Sequence, residues 1–160
     1  MVIVIIGIVY TLAVSSFQRI SKGSSKITLL HLKEYLNSFP HTNSVRLLCL
    51  DNCSICDVRV DGKSIKELKD FLDDSVKVYR YEAAYGVIEA QKDVYFDKDG
   101  VEKDVCFSYK VDKNGVGDQV LVAFKKNVYD FYNYFGETLV YPSIKEAVIS
   151  RDDLVREVTR

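Results

Sequence analysis

Residues 1–16, MVIVIIGIVYTLAVSS, contain no charged side chain. An apolar run of this kind at one end of a chain needs burial, in lipid or against other apolar surfaces. The stretch 1–17 is at the short end of the ~20 residues with which a helix crosses a bilayer. Its many β-branched residues would still be helical in lipid, where every backbone group must be bonded internally. The chain then turns polar and basic at Gln18, Arg19, Lys22 and Lys26. A secretory signal peptide would need a basic stretch before the apolar run, and none precedes Val2. The pattern divides the chain into an N-terminal hydrophobic helix and joint, residues 1–25, and a globular head, residues 26–160. SKGSS, residues 21–25, is the flexible joint.

The head is large enough for one modest core. Lys and Arg number 22 against 23 Asp and Glu, a net charge of -1. No global field therefore steers the chain to nucleic acid or to acidic lipid. With 11 Tyr, 8 Phe and 2 Pro, the composition suits strands with aromatic faces.

Residues 27–39 read as an amphipathic helix, with Leu29, Leu32, Leu36 and Phe39 at helical spacing, Ser25 or Thr28 as cap and Pro40 ending it. Short strands are expected at 45–51 and 56–60 around the turn NCSI. Residues 63–73 read as a helix, since Ser64 and Glu67 have capping-box spacing. An alternating strand follows at 76–81. Strands at 92–96 and 104–111 flank the turn Asp97-Lys98-Asp99-Gly100, and 119–125 is expected to pair back across Asn114-Gly115. Residues 128–135 and 139–141 are further strands. A last helix spans 143–158, with Ser143 and Glu146 again at capping-box spacing. The expected class is α+β: an apolar helix, then a small head of antiparallel hairpins with short helices.

The block Ile5-Ile6-Gly7-Ile8, inside VIVIIGIVYTLA and followed by the small residue Ala13, resembles the N-terminal helix of type IV pilins and type II secretion pseudopilins. In that family a basic leader, a cleavage site and a glutamate come before this block, so the resemblance expects a true start upstream of Met1. It implies a pilin-like fold and no catalytic residue. Val2, Ile3, Val4, Ile5, Ile6, Gly7, Ile8, Val9, Leu12 and Ala13 would make the membrane and filament contacts. The partners would be other pilin-like subunits and an inner-membrane assembly platform, with the head in the periplasm. The machine would be a type II secretion, DNA-uptake or type IV pilus system.

Cys49, Cys53, Cys56 and Cys106 are the candidate chemistry of the head. Cys53-Ser54-Ile55-Cys56 is a CxxC, but it lies between strands and not at the start of a helix, where a redox thiol is activated. Four converging thiolates would also suit zinc. In an extracytoplasmic head disulfides are the default. Cys53–Cys56 with Cys49–Cys106 is the preferred pairing, and Cys49–Cys56 across the hairpin is the alternative. The oxygen-rich loop 112–118 makes Asp112, Asn114 and Asp118 candidates for calcium, although Ala123 stands where a bidentate Glu would be needed. No other cofactor is expected. His31 and His41 have no metal-binding spacing. The aromatics of 129–135 are not joined by the clustered Lys and Arg that single-strand binding requires.

The leading expectation is a non-enzymatic pilin-like assembly subunit. The alternative is a single-pass anchored periplasmic binding module without a filament role. A tethered thiol enzyme is the third, and it would require Cys53 and Cys56 to cycle.

Overall fold

The computed structural model describes residues 27–82, 84–134 and 136–158. One 3-10 turn, Leu29–His31, runs into a short helix, α1 (Leu32–Asn37). Then come β1 (Ser44–Leu50), β2 (Ile55–Val60), β3 (Lys63–Lys69), β4 (Lys77–Glu82) and β5 (Gly86–Glu89). After β6 (Val94–Phe96) and the long β7 (Glu102–Asp112) follow β8 (Leu121–Phe124), β9 (Asn127–Asp130) and β10 (Leu139–Tyr141). The last element is α2 (Ile144–Val158). The strands form two antiparallel sheets, in the orders β3-β2-β1-β7-β6 and β10-β9-β8-β4-β5.

Strand alternation explains how the sheets meet. Val45, Leu47 and Cys49 of β1 join Phe107, Tyr109 and Val111 of β7 in one buried cluster. Val122 of β8 belongs to the same cluster, with Val78, Phe124 and Tyr129 packed against it from the second sheet. Leu29, Leu32 and Leu36 close one end of this core. Leu32 and Leu36 are fully buried, each contributing about 1.5–3 kcal/mol. The residues between point the other way. Leu121 and Val128 pack with Ala147 of α2, with Tyr79, Tyr132 and Tyr141 around them. The layers are therefore sheet, sheet and helix.

This overturns the expected α+β, pilin-like class. The head is mostly antiparallel sheet, and its first sheet is backed by a second sheet, not by a long helix. Among the described residues no helix is long and apolar enough to cross a membrane. The membrane and filament block, Val2 to Ala13, lies outside the described residues.

Two local expectations also change. The helix expected at 63–73 is strand β3, paired along β2. The cause is the turn before it: Asp61 and Gly62 both have positive φ, 48° and 84°, and join Val60 to Lys63. Asp-Gly in such a two-residue turn matches strand twist and forces a hairpin. Exposed Lys63, Lys66 and Lys69 then guard the outer edge of β3, the last strand of its sheet among the described residues. The strand expected to return on β7 across Asn114-Gly115 makes a single bridge there, Val111 to Gly117. The chain then crosses to the second sheet, where β8 pairs with β4 and β9.

The entry to β1 is held by two charges. The Asp61 carboxylate accepts the N–H groups of Thr42, Asn43 and Ser44 and the Thr42 hydroxyl, over 2.7–3.0 Å. These bonds hold its carboxyl well below the usual range. His41 bridges two carbonyls, with Nδ1 2.7 Å from Phe39 O and Nε2 3.0 Å from Asp112 O. Carbonyls only accept, so the imidazolium alone makes both bonds at once. The Phe39 carbonyl, then that of Asp112, raise the His41 pKa above its ordinary 6.5; burial opposes them, and the charges of Asp61 and Asp112 add to the rise. A raised folded-state pKa stabilises fully below the unfolded value and is lost as pH rises through the folded value. Thermal melts from about pH 6 to about pH 8 should therefore show a larger fall for the natural chain than for His41→Gln. Parallel curves would contradict the bridge.

Candidate functional site beneath the C-terminal helix

The outward-facing residues of the β9 segment are Val128, Asp130 and Tyr132. Asp130 is an acid on an apolar face, and it is only 8 % exposed. Its Oδ1 accepts the Tyr132 N–H at 2.8 Å. Burial raises its pKa, while the Tyr132 N–H and the positive charge of Arg151 pull it down. Asp130 lines a cleft of about 480 Å³ between the β9–β10 face and α2. Ligand sites commonly have this size, a mainly apolar wall and a few convergent polar groups.

Arg151 reaches the cleft from α2. Its guanidinium carbon is 4.0 Å from the centre of the Tyr132 ring and 5.0 Å from that of Tyr81. Cation–π contacts of this kind hold a guanidinium without neutralising it. Tyr132 is fixed in turn, because its hydroxyl accepts the Tyr81 N–H at 2.6 Å. Among the described residues no ion pair within 4.0 Å joins Arg151 to Asp130. Leu139, Tyr141, Leu154 and Val155 supply the apolar wall. The Tyr141 hydroxyl and the Ser150 Oγ lie 3.0 Å apart, tying β10 to α2.

The rim is set from α1. Lys33 of α1 is largely buried, and its ammonium donates to the carbonyls of Asn133 (3.0 Å) and Tyr134 (2.7 Å). The chain leaving β9 is thereby pinned beside the cleft. Chemically the cleft offers an acceptor, a cation and apolar surface.

The residues singled out in the sequence lie elsewhere. All four cysteines are bonded, Cys49–Cys56, the alternative read across the hairpin, and Cys53–Cys106, in place of the preferred Cys53–Cys56 and Cys49–Cys106. Cys49 and Cys56 are directly opposed in the β1–β2 ladder, whereas Cys53 sits in the turn and reaches β7. No free thiol occurs among the described residues. Asp112 Oδ1 accepts the N–H groups of Asn114 (2.8 Å) and Val116 (2.9 Å) in its own turn. Asp118 Oδ2 accepts the Lys110 N–H at 2.8 Å. Among the described residues no group of three or more His, Cys, Asp and Glu is placed to hold a metal ion.

Asp130, Tyr132 and Arg151 were not legible as a site in the sequence. One signal was available: an aspartate on the apolar parity of 128, 130 and 132. In comparisons with known proteins, no protein-family model, curated protein or solved structure matches this chain.

Proposed function

We propose that this protein is a membrane-anchored recognition module. Its disulfide-locked head works on the extracytoplasmic side and takes its ligand in the cleft beneath α2. The observation that carries this reading is the cleft itself, where a buried carboxyl and an aromatic-held guanidinium stand without pairing. The compartment is inferred from the two disulfides, since such bonds persist where the surroundings oxidise. The anchor is inferred from the uncharged run of residues 1–16. A small scaffold held by cross-links suits binding, because preorganised sites lose less entropy when occupied.

The test uses the full chain expressed in bacteria. The chain should remain in the membrane after an alkaline wash, and protease added to spheroplasts should degrade the head. Gly7→Leu should leave both results unchanged. A head protected from outside protease would overturn the reading. Cross-linked ladders through residues 2–13 that Gly7→Leu abolishes would move the function to a filament subunit.

A further inference from the structure

Asp130 and Arg151 face one cleft with opposite charges and form no ion pair with each other. Arg151 is held back on the rings of Tyr132 and Tyr81, and Asp130 is held down by the Tyr132 N–H. A buried acceptor and a nearby donor that do not satisfy each other favour a ligand that satisfies both. Leu139, Tyr141 and Leu154 line the same cleft. We infer that the cleft binds an apolar α-amino acid group, its ammonium on Asp130, its carboxylate or carbonyl on Arg151 and its side chain against the apolar wall. This inference rests on the recognition-module reading and names its ligand class. A free amino acid and the first residue of a peptide share this chemistry.

The chemistry makes demands on both ends of the ligand. The ammonium must meet a charged acceptor, because a neutral amide at position 130 would leave it unpaired in a largely apolar site. The carboxylate can be held by the fork of Arg151, which a lysine would match poorly. A molecule with one charge and the same apolar body would leave one wall group unmatched. Selectivity should therefore come from the pair and not from the apolar area.

Calorimetric titration of the full chain in detergent tests this with L-phenylalanine, phenethylamine and 3-phenylpropionate. Phenylalanine should bind about tenfold or more tighter than either singly charged analogue. Asp130→Asn should cost phenylalanine and phenethylamine about tenfold each and leave 3-phenylpropionate unchanged. Arg151→Met should cost phenylalanine and 3-phenylpropionate about tenfold each and leave phenethylamine unchanged, and it serves also if Asp130→Asn fails to fold. The peptide Phe-Gly-Gly separates the sources: binding equal to phenylalanine assigns a peptide end, and weaker binding assigns the free amino acid. No heat with phenylalanine at millimolar concentration would overturn the inference. Equal affinity for all three compounds, indifferent to both substitutions, would do so too. Membrane topology is read separately, so this inference and the anchored-head reading fail independently.

Discussion

Replacing Cys53 and Cys106 by alanine should lower the stability of the head by about 4 kcal/mol, and replacing Cys49 and Cys56 by about 2 kcal/mol. The order follows from the loops that the two bonds close. Cys53 and Cys106 are 53 residues apart in sequence, and Cys49 and Cys56 are 7 apart. A cross-link removes more freedom from the unfolded chain when its loop is longer. The long bond also ties the β1–β2 turn to β7, whereas the short one lies within a ladder already formed by hydrogen bonds. Alanine is preferred to serine because all four positions are buried, and a serine hydroxyl would need a partner there. Urea titration followed by tryptophan-independent circular dichroism gives the two midpoints. The opposite order would contradict the pairing.

Gly117→Ala should cost about 2–3 kcal/mol, and Tyr109→Phe should recover a large part of that loss. A Cβ at position 117 would land on the Tyr109 hydroxyl and lie 2.7 Å from its Cζ. Tyr109 is fully buried between the sheets, with its ring centre 4.6 Å from that of Phe131, so the ring has nowhere to retreat. Its hydroxyl is buried without a hydrogen-bond partner among the described residues. Burial, followed by the charges of Asp118 and Glu34, pushes the phenol pKa well above its ordinary value. Removing that oxygen alone should be neutral or stabilising, because no bond is lost and a buried polar atom disappears. The cycle of Gly117→Ala, Tyr109→Phe and the double variant measures the coupling. Additive costs would show that the two positions do not touch.

What could be read from the sequence divides along local and non-local lines. The spacing of Leu29, Leu32 and Leu36 announced an apolar stripe, and all three are buried. Ser143 announced a helix start, and its Oγ accepts the Glu146 N–H at 3.3 Å. Both signals lie within one or two helical turns. The error at 63–73 was also local: Ser64 and Glu67 look like a helix start, but Asp61-Gly62 sets a hairpin two residues earlier. The destination of β8 was not local at all. Gly117 sits against the Tyr109 ring, and the partners of β8 are 77–79 and 127–130. Nothing within the hairpin sequence specifies that crossing. Cys49–Cys56, the alternative read across the hairpin, is local and forms, but Cys53–Cys106 was hidden, since Cys106 approaches Cys53 only once β7 lies beside β1. The cleft needed three distant contributions: Asp130 from β9, Leu139 and Tyr141 from β10, and Arg151 from α2.

Peptide mapping of the full chain without reduction, after expression in bacteria, is the most direct test of the disulfide-locked, two-sheet head. The expected result is one bond joining Cys49 to Cys56 and one joining Cys53 to Cys106. That result would place a correctly folded two-sheet head in an oxidising compartment. Four alkylatable thiols, or a Cys53–Cys56 product, would contradict it.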